Sequence, residues 1–214
     1  MRKQRILYFG LEVPADTDNI CWTHCPLIET KPVSLSEAGL NTAFQRLTGA
    51  THLIFTSKMA VRYFVEACDA LEMDMRGIQK KRCLSVGAMT TKTLTELDFS
   101  SIETASTESA EGIVALLQEA PSNASFFWAH SRRSRTLITD FLSARQILHT
   151  TCVLYDTLIR KPEVLPRLVD FDELFFSSPS TVEAFFTIYK CAPPIPYRAQ
   201  GIETEKACQR RVWY

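Results

Sequence analysis

The stretch HLIFTSKMAVRYFVEACDAL, residues 52–71, decides the fold. Its first four residues, His52 to Phe55, form a short apolar run suited to a buried strand, and the run breaks at the hydroxyl pair Thr56-Ser57. Beyond the break, Val61, Phe64, Val65, Cys68 and Leu71 recur at helical spacing. A buried strand, a polar turn and an amphipathic helix make one βα unit, and a succession of such units makes a parallel sheet covered by helices.

The same pattern continues on both sides. Ile6 to Phe9 reads as an opening strand, and Cys83 to Val86 as another that turns at Gly87 into a helix beginning near Thr90. Glu108 to Ala120 is helical, with Ile113, Leu116 and Leu117 on its apolar face. The strand Phe126 to Ala129 runs into the basic turn His130-Ser131-Arg132-Arg133-Ser134-Arg135, then a helix carrying Leu137, Phe141 and Leu142. Thr151 to Tyr155 is again a strand. Glu173 to Phe176 leads through Ser177-Ser178-Pro179 into a helix with Val182, Phe185, Phe186 and Tyr189. Ser178 suits its N-cap and Pro179 its first position, where a missing N–H costs nothing. Arg198 to Ile202 reads as a last strand, turning at Gly201.

Two passages echo each other. Leu53-Ile54-Phe55-Thr56-Ser57-Lys58-Met59-Ala60-Val61 parallels Leu174-Phe175-Phe176-Ser177-Ser178-Pro179-Ser180-Thr181-Val182, and each precedes a Gly-x-x-Thr turn, at Gly87 to Thr90 and at Gly201 to Thr204. Two linked echoes in one order predict two similar α/β domains, each a parallel sheet flanked by helices. Pro26 to Val33 and Leu154 to Pro162 lack helical periodicity and read as a two-stranded linker. The expected layout is a discontinuous domain of residues 1–28 and 161–214, an inserted domain of residues 34–152, and linker strands at 29–33 and 153–160. Ligands of open parallel sheets lie beyond the carboxyl ends of the strands, where helix N-termini offer N–H groups. A cleft between the domains, faced by both hydroxyl-rich turns, is therefore the expected site.

Composition narrows the chemistry. Lys plus Arg and Asp plus Glu are 24 each, so no net field draws the 214-residue chain to nucleic acid or a membrane surface. No run approaches the roughly 18 apolar residues of a membrane span, and the apolar run after the basic start Met1 to Arg5 is too short for a signal peptide, which predicts a cytoplasmic protein. The seven cysteines are odd in number and irregular in spacing, which favours reduced thiols over a disulfide framework. Cys21, His24 and Cys25 resemble half a metal site, but no second cluster completes it, and no metal is expected. The chain carries no glycine-rich phosphate loop, and none of His24, His52, His130 and His149 accompanies a nucleophile signature.

Phe55-Thr56-Ser57 with Ala60-Val61, Val86-Gly87-Ala88-Met89-Thr90, Ser131-Arg132-Arg133-Ser134-Arg135, Val153-Leu154-Tyr155-Asp156-Thr157 and Phe176-Ser177-Ser178-Pro179-Ser180-Thr181-Val182 occur here in the order in which similar motifs occur in uroporphyrinogen-III synthases. The resemblance spans about residues 50–207. It implies a lyase of haem and porphyrin biosynthesis that needs no cofactor, works as a monomer, and takes hydroxymethylbilane, a linear tetrapyrrole, from the upstream deaminase. Such an enzyme expels the terminal hydroxyl, attacks from the substituted carbon of the terminal ring, and recloses that ring inverted. The resemblance makes Tyr155 the catalytic residue that assists loss of the hydroxyl. Thr90, Ser178 and Thr204 match the family's cleft residues, and Thr56, Ser57, Ser131 and Ser180 of the shared motifs are expected to bind substrate with them. From their own chemistry, Arg132, Arg133 and Arg135 suit pairing with carboxylates, and Lys58, at a helix start that disfavours cations, suits a bound anion. Two departures stand out: the opening strand ends Tyr8-Phe9-Gly10-Leu11-Glu12 without the family's arginine, and the chain stops at Tyr214, short of a further strand and helix. The competing expectation is a non-catalytic two-domain module that binds an anionic small molecule such as a tetrapyrrole.

Overall fold

The computed structural model describes residues 2–14, 19–37 and 39–211, so the terminal residues Met1 and Tyr214 lie outside the described residues. The elements run β1 (Gln4–Tyr8), β2 (Ile20–His24), β3 (Ile28–Pro32), α1 (Leu40–Leu47), β4 (His52–Phe55), α2 (Lys58–Ala70), α3 (Met75–Ile78), β5 (Arg82–Ser85), α4 (Ala88–Glu96), β6 (Ser101–Thr104), α5 (Ala110–Gln118), β7 (Phe126–Ser131), α6 (Leu137–Ala144), β8 (His149–Ile159), β9 (Glu173–Phe176), α7 (Pro179–Tyr189), β10 (Tyr197–Ala199) and α8 (Ile202–Arg210). They pack as two compact units, Met1–Thr30 with Thr157–Tyr214 and Lys31–Asp156. The chain passes between the units within β3 and again within β8.

In the larger unit the strand order is β3-β8-β7-β4-β5-β6. From β4 the chain steps outward to β5 and β6, then returns through α5 to the other side of β4 to form β7 and β8, all in parallel register. The strand order therefore reverses between β4 and β7. At the far edge, the amide of Val33 bonds the carbonyl of Leu154 and that of Arg160 bonds Leu27, an antiparallel register for β3 against β8. Alternation along β4 divides the core in two. Leu53 and Phe55 pack with Phe44, Phe64 and Phe127 under α1, α2 and α4, whereas Ile54 packs with Trp128, Ile113 and Leu142 under α5 and α6.

The smaller unit has strand order β10-β9-β1-β2 and, unlike the larger, is parallel throughout. Its order reverses between β1 and β9. Leu7, Phe9, Leu174, Phe176, Val182 and Phe185 form its core.

Local chemistry sets the element ends. Ser57 and Ser178 have nearly the same extended backbone and cap α2 and α7, accepting the amides of Ala60 and Thr181. Ser178 and Thr181 complete a capping box behind Pro179. The last strand is shorter than the sequence suggests: β10 stops at Ala199, because Gly201 adopts a left-handed φ of 79° and Ile202 already opens α8. Cys68, Cys83 and Cys152 are buried in the larger unit, and burial pushes each thiol up to about 12.

Phe127 is fully buried and meets Phe44 and Phe64 at ring distances of 5.6 and 5.9 Å. Phe127→Ala is expected to lower stability by about 3–5 kcal/mol, as a large-to-small change in a packed core does. Urea unfolding followed by circular dichroism checks this, and a loss below about 1 kcal/mol would contradict the packing described.

Candidate functional site

An open parallel sheet leaves a crevice where its strand order reverses, because the crossovers on either side diverge there. In the larger unit that place lies at the carboxyl ends of β4 and β7. Ser57 follows β4, Ser131 ends β7, and Tyr155 comes in from β8. The Tyr155 hydroxyl lies 2.8 Å from Ser57 Oγ and also hydrogen-bonds the side chain of Ser131. Its ring stacks on Tyr63 of α2, with centroids 5.1 Å apart.

A break in register brings the phenol there. His130 pairs with Val153 but Ser131 pairs with Tyr155, so one residue of β8 is passed over. Without that bulge, Leu154 and Tyr155 would face opposite sides of the sheet. With it, both side chains are buried in the cluster under α2. Burial raises the Tyr155 pKa above its ordinary value, the bonds from Ser57 and Ser131 oppose this, and neighbouring Tyr63 adds to it. The group is therefore an uncharged O–H donor throughout the neutral range.

The arginines of the basic turn lie on the same side but are engaged. Arg132 grips the Glu37 carboxylate at 3.0 and 3.2 Å, and Arg132 and Arg133 both reach Asp156, at 3.8 and 3.9 Å. Arg135 makes a two-pronged contact with Glu111 at 3.0 and 2.9 Å and holds that carboxyl down to about 2. Thr56 and Lys58 flank Ser57 and are half-buried.

Next along the sheet, the turn from β5 into α4 carries Gly87 and Thr90. Thr90 is only 3% exposed. The start of α4 already holds a carboxylate: Glu108 Oε1 accepts the Ala88 amide at 2.9 Å and lies so close over Gly87 that a β-carbon there would come within 2.4 Å of it. Nothing in the sequence marks Glu108 for this, since the contact closes between two loops.

The smaller unit repeats the plan. Ser178 uses its hydroxyl to cap α7, Ser180 is half-buried in the first helical turn, and Thr204 is 2% exposed in the first turn of α8. Its strand-order reversal is occupied by two residues that are not among the site residues expected from the sequence, Tyr8 at the end of β1 and Ser177 after β9.

A family model described as uroporphyrinogen-III synthase HemD matches residues 22–211. The chain belongs to the uroporphyrinogen-III synthase family. Solved structures carry the same fold. A mutant uroporphyrinogen III synthase from the extreme thermophile Thermus thermophilus is 18% identical with a TM-score of 0.66, over 97% of this chain and 88% of that one. The uroporphyrinogen-III synthetase from Helicobacter pylori is 17% identical with a TM-score of 0.60, over 97% of each chain. Among curated proteins none matches significantly.

For a uroporphyrinogen-III synthase, the larger unit brings Ser57, Ser131 and Tyr155 into one hydrogen-bonded group and sets Arg132 and Arg133 beside it through Asp156. Among the described residues no group of His, Cys, Asp and Glu is arranged to hold a metal ion. His130, half-buried against Trp128, is pushed down by burial, and His52 is buried beside Thr51, 2.7 Å from its hydroxyl.

Ultraviolet titration of the phenols tests the environment of Tyr155. The change lost in Tyr155→Phe should fall above the ordinary tyrosine pKa of about 10. Ser57→Ala should move it higher still, because the serine bond favours the phenolate.

Proposed function

We propose that Tyr155 is the proton donor of this uroporphyrinogen-III synthase, held in place by Ser57 and Ser131. The single observation that carries the reading is the buried phenol bonded to Ser57 where the strand order reverses. The family's reaction cyclises hydroxymethylbilane with inversion of its terminal pyrrole, giving uroporphyrinogen III for tetrapyrrole biosynthesis.

The first step breaks the C–O bond of the hydroxymethyl group. Hydroxide is a poor leaving group, and a proton from Tyr155 lets it depart as water, leaving an azafulvene cation. The substituted carbon of the far ring attacks, the spiro intermediate fragments by breaking that ring's old bridge bond, and the inverted ring recloses through its free α-carbon, which loses its proton. Uncatalysed closure of the bilane competes and gives the uninverted isomer, so the protein must hold one geometry rather than lower a high barrier. An ion pair at Tyr155 is not required, since the O–H donor stays neutral until the proton moves.

The bilane carries eight carboxylates, and Arg132, Arg133 and Lys58 are the cations proposed to meet them, with Thr56, Thr90, Ser178, Ser180 and Thr204 around the turns. Arg132 and Arg133 are paired with exposed or half-buried carboxylates. Exposed pairs of that kind are worth about 0–1 kcal/mol, so exchanging Glu37 or Asp156 for a substrate carboxylate costs little. A cytoplasmic monomer that receives its bilane from the upstream deaminase is part of the same proposal and rests on family membership. No helix among the described residues is long and apolar enough to cross a membrane.

The test supplies the purified protein with hydroxymethylbilane made in place by the deaminase and separates the oxidised porphyrin isomers. Isomer III is expected from the wild type. Tyr155→Phe should lower kcat about 100-fold or more, the usual range for loss of a general acid. If the wild type yields only isomer I at the spontaneous rate, the reading fails. If Tyr155→Phe keeps full kcat, the phenol is not the donor.

A further inference from the structure

The smaller unit contains a second buried tyrosine–serine pair, and it too lies where the strand order of its unit reverses. Tyr8 ends β1 and Ser177 follows β9, the two strands between which the order reverses in that unit. The Tyr8 hydroxyl bonds the Ser177 side chain. Tyr8 is 5% exposed, against 6% for Tyr155, and burial raises the pKa of both.

The backbone is shaped around this pair. A β-carbon on Gly10 would come within 2.4 Å of both Ser177 Oγ and the Tyr8 hydroxyl. Glycine at that position therefore leaves room for two hydroxyl groups that any side chain would displace. His24 fixes the same turn, its Nε2 lying 2.8 Å from the Gly10 carbonyl. Tyr8 is wedged between Trp22, at a ring distance of 5.7 Å, and Phe175, at 5.5 Å, so its hydroxyl has one direction to point. Ser177 is only half-buried, so the pair is not wholly enclosed.

We propose that Tyr8 and Ser177 form a substrate-binding pair that takes one carboxylate of the bilane, an assignment that rests on the reading above. Two neutral hydroxyls side by side can each turn an O–H toward one carboxylate by giving up the bond between them, and Ser177 directly precedes the N-cap of α7, where the helix start favours negative charge. Glu12 is the opposing charge near Tyr8, and it is exposed. Because the donors are uncharged, the contact selects a carboxylate by direction rather than by attraction.

The experiment compares Tyr8→Phe and Ser177→Ala with wild type in the bilane assay, recording Tm for each. Loss of one hydrogen bond to a charged group is expected to raise KM about tenfold, with the loss falling on KM rather than kcat, unlike Tyr155→Phe. Unchanged KM in a folded variant overturns the proposal, whether or not Tm falls, because a purely structural pair moves only Tm. Ser177→Ala decides the matter if Tyr8→Phe does not fold. Should the wild type make only isomer I, the catalytic reading fails, and equilibrium binding of uroporphyrin III, followed by tryptophan fluorescence, judges the pair by itself. About tenfold weaker binding by the variants then supports it, and equal binding overturns it.

Discussion

Parallel pairing is the constraint from which the rest of the molecule follows. When neighbouring strands run the same way, each must be followed by a crossover, and every crossover starts from the same edge of its sheet. Where successive crossovers turn to opposite sides, no helix covers the strand ends. In the larger unit this happens between β4 and β7, and in the smaller between β9 and β1. Polar side chains can persist at such places without breaking a helix–sheet contact. Ser57, Ser131 and Tyr155 hold one of them, and Tyr8 and Ser177 the other.

Placing a phenol there is costly unless its oxygen is bonded, since an unsatisfied buried hydroxyl loses about 1–3 kcal/mol. Each tyrosine offsets this with serine. In the larger unit the serines are themselves fixed by the backbone: Ser57 caps α2, and Ser131 Oγ accepts the Arg133 amide at 3.2 Å. The orientation of the Tyr155 hydroxyl is thus tied to a helix start and to a turn at once. A one-residue bulge completes the arrangement by turning Tyr155 to the buried side with Leu154.

Much of this is legible in the sequence because it is local. Strand–hydroxyl–helix at 53–61 and 174–182 shows in periodicity and capping chemistry, and those segments form β4–α2 and β9–α7. Uroporphyrinogen-III synthase membership follows from motif order. What cannot be read depends on contacts across long separations. The bulge opposite Ser131 leaves no mark in composition, and the carboxylates paired with Arg132 and Arg135 come from Glu37 and Glu111, far away in the chain. Tyr8 has the pattern of an ordinary strand residue, because Ser177 joins it only once β1 and β9 lie side by side. The short β10 departs from the sequence pattern for a different reason: apolar Ile202 extends that pattern past a glycine whose backbone ends the strand.

The buried thiols have a consequence for how the protein ages. Burial raises the pKa of Cys68, Cys83 and Cys152 far above neutrality and keeps them as thiols, whereas it is the thiolate that peroxide attacks. Cys21 and Cys191, both exposed and both in the smaller unit, are left to meet an oxidant first. Oxidative wear would begin in the unit that carries Tyr8, while the core beneath Tyr155 stays reduced until the larger unit unfolds.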